Sequence, residues 1–270
     1  MKRILQFTGL AAIFALPTFA SASLVAWYPL DTDANDATGN GHNGAVVGGT
    51  VEFGQGGANA GTGLSASFPD NGHIDVPWSA ALNPGIQAEN GSGSFTMSVW
   101  VNSSSSAGNF NSPLTAREDN GVTVNGPIIY NTPGNIWSFW GGNNGAPGAW
   151  NALDAAVGTT DGTWQHIAIT YDAATTSRVL YVDGESAATS SIGISANVLR
   201  DLHIGSGQDD GNNFFWSGQL DDVGIWNESL SQSQVQGVMT GGIASAVPEP
   251  SVVGLAGMGG LLLFLRRRNR

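Results

Sequence analysis

The sequence predicts an all-β protein: a two-sheet antiparallel sandwich of jelly-roll type, with one short helix near its C-terminal end. Three observations predict it. Short runs in which apolar and polar residues alternate recur along the chain, which is the period-two signature of half-buried strands. Gly, Asn, Ser, Thr and Asp punctuate those runs, and these residues form turns. Aspartate outnumbers glutamate by fifteen to six, as suits a loop-rich β protein in which Asp supports turns and Glu would favour helices.

The clearest strands, in order, are Leu24–Tyr28, Ser94–Val101, Pro127–Tyr130, Ile136–Trp140, Thr163–Tyr171, Arg178–Val182, Leu202–Gly205 and Gly218–Trp226. In the second of these, Phe95, Met97, Val99 and Val101 share one face while Thr96, Ser98 and Trp100 share the other. Trp164, His166, Ala168 and Thr170 alternate in the same way against Gln165, Ile167, Ile169 and Tyr171. Asp183-Gly184, before Ser186–Thr189, marks a two-residue hairpin because Gly tolerates positive φ. Ser231-Gln-Ser-Gln234 is a capping box, followed by the apolar stripe Val235, Val238 and Met239, and it opens the helix. No internal repeat or second domain is visible. About 220 residues suit one large sandwich.

Both ends of the chain look like targeting segments. Met1-Lys-Arg3, the mostly apolar Ile4 to Leu16 and the small residues Ala20-Ser-Ala22 make a signal peptide over residues 1–22. At the other end, Val247-Pro-Glu-Pro-Ser251, the apolar run Val252 to Leu265 and the cluster Arg266-Arg-Arg-Asn-Arg270 follow in fixed order. The fifteen residues from Ser251 to Leu265 would reach only about 22 Å as a helix, short of the roughly 30 Å hydrocarbon core. The arginines belong on the cytoplasmic side. The tail, residues 244–270, resembles the PEP-CTERM sorting signal of Gram-negative bacteria. That resemblance implies transient contact with the inner membrane through a transmembrane tail, processing by an exosortase, and delivery to the cell surface or extracellular matrix. The acting domain is then residues 23–243.

Removing the two ends leaves Arg117, Arg178 and Arg200 as the domain's only Lys or Arg, against every acidic residue but Glu249 of the tail. Such a surface repels nucleic acid and anionic lipid and favours cations or neutral, hydroxyl-rich ligands. The chain has no cysteine, so disulfides, thiol nucleophiles and Cys-ligated metals are excluded.

Several segments carry a family resemblance: Leu24-Val-Ala-Trp-Tyr-Pro-Leu-Asp31, Asn35-Asp-Ala-Thr-Gly-Asn-Gly-His-Asn-Gly44, Phe95-Thr-Met-Ser-Val-Trp100, Trp164-Gln-His-Ile-Ala-Ile-Thr-Tyr-Asp172, Leu180-Tyr-Val-Asp-Gly184 and Gly218-Gln-Leu-Asp-Asp-Val-Gly-Ile-Trp226. In order and spacing they resemble a laminin G-like, concanavalin A-like lectin/glucanase domain of the bacterial type related to pentraxins. The resemblance implies a jelly roll whose first and last strands are neighbours. It also implies an edge calcium site between the turn after the first strand and the closing strand. The matching residues are Asp36, Gly39, Asn40, His42 (through its carbonyl) and Asp222. Calcium takes six to eight hard oxygens, and a Gly/Asn turn can point carbonyls inward. Asp36 acting only as a turn cap is the competing reading.

Glucanases of this fold present their carboxylates from a Glu-x-Asp-x-x-Glu or Glu-x-Asp-x-Glu strand. Glu occurs here only at 52, 89, 118, 185, 228 and 249, so no such strand exists. Glu118-Asp119 in a loop leaves room for a pair assembled in space, and His166 reads as a sheet histidine. Neither Gly-x-Ser-x-Gly nor His-x-x-x-His occurs, so no enzyme is signalled. Three segments predicted as loops, Ser103–Ser112, Gly141–Asp154 and Ser206–Trp216, are dense in Asn, Gly and aromatics. They and the adjoining strand end supply Trp140, Trp150, Asn151, Asp209, Asp210, Asn212 and Trp216. Apolar ring faces with short amide and carboxylate groups are what a carbohydrate site needs. The sequence therefore points to non-catalytic polysaccharide binding. A protein-binding adhesin, or a glycan hydrolase or lyase with a diverged pair, are the alternatives.

Overall fold

The computed structural model describes residues 24–83, 93–104, 108–145, 150–207 and 214–246. The predicted signal peptide and nearly all of the sorting tail lie outside them. Among the described residues sixteen strands form two antiparallel sheets. The first sheet contains β1 (Leu24–Tyr28), β3 (Glu52–Gly56), β4 (Leu64–Phe68), β6 (Phe95–Ser103), β12 (Trp164–Asp172), β13 (Ser177–Val182), β14 (Glu185–Ser191) and β16 (Gly218–Trp226). The second contains β2 (Ala45–Val47), β5 (His73–Val76), β7 (Asn111–Thr115), β8 (Glu118–Asp119), β9 (Val124–Asn131), β10 (Trp137–Gly145), β11 (Asn151–Asp154) and β15 (Leu202–Ile204). β1 pairs with β16, so the first and last strands are neighbours.

The predicted alternation sets the core. Phe95, Met97, Val99 and Val101 from β6 meet Ile167, Ile169 and Tyr171 from β12 in the core between the sheets. Each such side chain contributes about 1.5–3 kcal/mol when fully buried. Asp183 (φ 51) and Gly184 (φ 75) both have positive φ, as a tight hairpin between β13 and β14 requires.

Helix α1 (Gln232–Gly241) begins with the predicted box: the Ser231 side chain accepts from Gln234 N, and the Gln234 side chain accepts from Ser231 N. Val235 and Val238 pack with Ala168, Tyr181 and Trp226 on the outside of the first sheet. The two sheets therefore differ on their outer sides, the first being covered by α1. Among the described residues no helix is long and apolar enough to cross a membrane, and the Val252 to Leu265 run lies outside them.

Candidate functional site

The closing strand contains an acidic seam. β16 pairs with β4 through Gly218, Gln219 and Leu220, then with β1 through Val223 to Trp226. Asp221 and Asp222 fall between the two pairings, where the register with β6 also shifts. Asp222 has φ 48, which is uncommon for a non-glycine residue. Asp221 is fully buried. Its Oδ2 accepts from Ala58 N (2.8 Å) and Thr62 Oγ1 (2.7 Å), while Oδ1 has no donor. Burial pushes its pKa up to about 7, against those bonds and with help from the charges of Asp222 and Asp31. Burial likewise lifts Asp222 to about 6, although Ile243 N and Trp27 Nε1 donate to it. Asp31 Oδ1 accepts from Leu64 N at 2.6 Å. Glycines wall the seam: a Cβ on Gly63 would lie 2.8 Å from Asp31 Oδ1, and one on Gly57 3.0 Å from Asp221 Oδ2.

The five predicted metal residues divide differently. Asp36 Oδ1 accepts from Trp27 N, Thr38 N and Thr38 Oγ1, and Oδ2 accepts from His42 N. Burial would raise this carboxyl, but those bonds prevail and hold it below its ordinary value. The His42 carbonyl accepts from Tyr28 OH at 2.8 Å, and Asn40 Nδ2 donates to Val25 O at 2.9 Å. Gly39 (φ +81) supplies the turn. Asp36, Gly39, Asn40 and His42 thus belong to one capped turn, in which the Asp36 carboxylate and the His42 carbonyl accept from protein donors. Asp222 is held by the indole of Trp27, whose backbone N–H serves Asp36, and its charge acts on Asp221. Asp222 stands beside Asp221 where β16 changes partners, and the charge of Asp31 acts on both.

On the outer face of the second sheet, the three aromatic segments converge. Tyr130 on β9 and Trp140 on β10 lie diagonally across the pairing, with ring centroids 5.4 Å apart at 86°. Phe110 stands edge-on to Tyr130, Trp140 and Phe214 at 5.2, 5.5 and 5.7 Å. Arg117 donates to Tyr130 OH at 3.1 Å and lies 4.7 Å from the ring centroid of Trp150. Phe110, Trp140, Trp150 and Phe214 are half-buried, so ring surface remains toward solvent.

Of the predicted ligand residues, Trp140 and Trp150 belong to this face. Asn151 begins β11, where its carbonyl accepts from Arg178 Nη1 at 3.1 Å. Trp216 is a core residue, 1% exposed and stacked 6.1 Å from Trp137. Its backbone N–H donates to Gly205 O beside β15. Asp209, Asp210 and Asn212 lie outside the described residues. Phe110, Tyr130, Phe214 and Arg117 were not expected, although Tyr130 sits opposite in phase to Ile129 on a predicted strand.

The candidate catalytic groups are also placed. Glu118, expected in a loop, lies in the short strand β8 and is 2% exposed. Its oxygens accept from Asn120 Nδ2 and Val198 N. Asp119 pairs with Arg117 at 3.0 Å. His166 is fully buried against Trp100, and burial lowers its pKa to about 3.

No curated protein sequence matches the chain. Among solved structures it is similar to domain 4 of AbnA, a GH43 extracellular arabinanase from Geobacillus stearothermophilus solved with arabinotriose. The identity is 19%, covering 80% of this chain and 98% of that one, with TM-score 0.57. It is also similar to the binding domain of Paraclostridial Mosquitocidal Protein 1, at 18% identity over 80% of this chain and 51% of that one, TM-score 0.59. The receptor binding domain of botulinum neurotoxin D gives 14% identity, 81% and 52% coverage, and TM-score 0.55. The chain spans about half the length of the two toxin structures. At these identities the likeness is one of fold. A family model described as the concanavalin A-like lectin/glucanases superfamily, of the laminin G type, matches residues 78–236, more than half of the chain, and the chain belongs to that superfamily.

Proposed function

We propose that this protein binds polysaccharide without cleaving it, through the aromatic face formed by Phe110, Tyr130, Trp140 and Phe214, with Trp150 and Arg117 beside it. The observation that carries the reading is the convergence of three sequence-distant segments on one half-buried ring cluster. Ring faces stack on sugar C–H groups, while guanidinium and carboxylate groups take the hydroxyls. The arabinotriose complex of the arabinanase domain supports a glycan as the ligand class. The occupied oxygens of Glu118, the ion pair of Asp119 and the buried, neutral His166 favour binding over catalysis. Export and surface or matrix attachment rest on the flanking segments of the sequence, as does exosortase processing of the tail.

Calcium, in this reading, is held at the joint between β1, β4 and β16, where Asp222 and the neighbouring Asp221 stand. The unpartnered, buried Oδ1 of Asp221 favours this, because a hard cation would satisfy it and offset the charge.

Titration calorimetry of the full chain against soluble polysaccharides, arabinan included, tests the main reading. We expect binding to one class and a loss of about 1–3 kcal/mol on Trp140→Ala, the scale of one ring stacked on a flat ligand. A flat response to every glycan would shift the reading to a protein-binding adhesin. For calcium, saturation at about 100 times its Kd raises stability by roughly 2.7 kcal/mol, and Asp221→Asn should abolish the gain.

A further inference from the structure

A second cluster lies on the outer side of the second sheet, away from the acidic seam. His73 and Asp75 are two apart on β5, so their side chains leave the same face. His203 on β15 sits directly across from Asp75 in the register. His73 Nε2 lies 3.3 Å from Asp75 Oδ1, and His203 Nδ1 lies 2.5 Å from the same oxygen. The candidate ligand atoms of all three residues fall within 4.8 Å of one another. Alternate core residues Ile74 and Ile204 anchor the two strands from beneath.

Two further observations point to a ligand. His203 is 6% exposed, yet neither of its ring nitrogens makes a hydrogen bond, its short approach to Asp75 included. A buried imidazole left in this state is costly unless something completes it. His73 Nδ1 lies 3.0 Å from the carbonyl of Asn71. A carbonyl can only accept, so Nδ1 carries a proton, and Nε2 is the ring atom that faces Asp75. That is how metal-bound histidines are oriented: the far nitrogen donates to a backbone carbonyl and the near one is left free to ligate. His203 Nδ1 and Asp75 Oδ1 are both buried atoms without a hydrogen-bond partner, and a cation held between the three side chains would satisfy both. Gly48 leaves room for the ring, since a Cβ there would come 2.8 Å from His73 Cε1.

We propose that His73, Asp75 and His203 form a transition-metal site of the kind zinc occupies, clamping β5 to β15. Two imidazoles and one carboxylate suit zinc, while calcium prefers a shell of oxygens alone. Tetrahedral ligands at about 2.0–2.1 Å from zinc stand about 3.3 Å apart, which His73 and Asp75 already match. Asp75 and His203 must separate by about 0.8 Å to admit the ion, and the Asp75 side chain, 29% exposed, has room to turn. A water or an outside ligand completes the coordination, beside the ring of Phe215, which stands 5.4 Å from that of His73.

The test is calorimetric titration of the untagged full chain, freed of metal by chelation, with zinc chloride and separately with calcium chloride. One zinc per chain is expected. His73→Ala and Asp75→Asn should each weaken it by more than about tenfold, beyond the loss that outer-shell changes cause. Both residues are partly exposed, so these variants should fold, and unchanged thermal unfolding without metal checks that. His42→Ala should bind zinc as the parent does. Cobalt in place of zinc should give the visible absorption of a tetrahedral site, lost in His73→Ala. Zinc uptake that is absent, unchanged in both variants, or displaced by equimolar calcium would overturn the proposal. Glycan binding and the calcium seam do not depend on these residues, so failure here leaves those readings standing.

Discussion

Trp27 donates its indole N–H to Oδ1 of Asp222 across 2.5 Å, tying the first strand to the last, while its backbone N–H goes to Asp36 Oδ1 at 3.1 Å. One residue thus links the turn after β1 to the closing strand. Trp27→Phe keeps most of the ring and the backbone bond but leaves a buried carboxylate oxygen without its donor. The expected loss is about 1–3 kcal/mol, measured by urea unfolding. It should be larger near pH 8 than near pH 5, because the lost bond favours the ionised carboxylate.

Asp221 should make the calcium-free protein more stable as the solution becomes mildly acidic. Its folded pKa is raised to about 7 from 3.8. The folded state therefore takes up a proton before the unfolded state does, and the charge penalty present at high pH disappears as pH falls through about 7. Asp222, raised to about 6, acts in the same direction slightly lower. Each fully titrating group contributes a slope of about 1.4 kcal/mol per pH unit. In Asp221→Asn the slope between about pH 6 and pH 5 should shrink by nearly one such unit, and at the alkaline end the variant should be the more stable. Identical pH curves for parent and variant would refute the assignment.

His166 acts in the opposite direction. Burial depresses its folded pKa to about 3 from 6.5, so only the unfolded state protonates as pH falls from about 6.5 to about 3. Stability contributed by the neutral ring is fully present above that window and is lost within it, again at about 1.4 kcal/mol per pH unit. His166→Leu removes the proton uptake. Its pH curve, minus that of the parent, should rise steadily toward acid, as denaturant midpoints can show.

Two tryptophans separate core from surface. Trp216→Ala should cost about 3–5 kcal/mol, since the ring is fully buried and leaves a cavity against Trp137. Trp140→Ala, at a half-buried ring, should cost about half of that or less. Thermal unfolding of the two variants measures the contrast.

The strands that were legible are those with a run of alternating large residues. β1 and β16 have the predicted bounds, and β6, β12 and β13 differ by a residue or two at their ends. β3, Glu-Phe-Gly-Gln-Gly, and β4, Leu-Ser-Ala-Ser-Phe, were not predicted. Their small and polar residues have little strand preference, and pairing with each other and with β16 holds them extended. The segments predicted as loops contain strand as well, because β10 runs on to Gly145 and β11 begins at Asn151. The acid and aromatic residues of the sites were visible as types. Their groupings were not: Asp36 took a turn, Trp216 went to the core, and Phe110 joined Trp140.

By itself the sequence determined what acts over a few residues: the face each strand turns inward, the positive-φ hairpin at Asp183-Gly184 and the cap at Ser231. These follow from backbone geometry and side-chain hydrogen bonds that need no distant partner. Only the tertiary structure decided which charges meet. The charge of Asp31 acts on Asp221 and Asp222, which sit where β16 changes partners, and His203 meets Asp75 because β15 pairs with β5 from 128 residues away in sequence (203 less 75). Burial then raises the pKa of Asp221 and of Asp222, a property of the folded whole that no local pattern encodes.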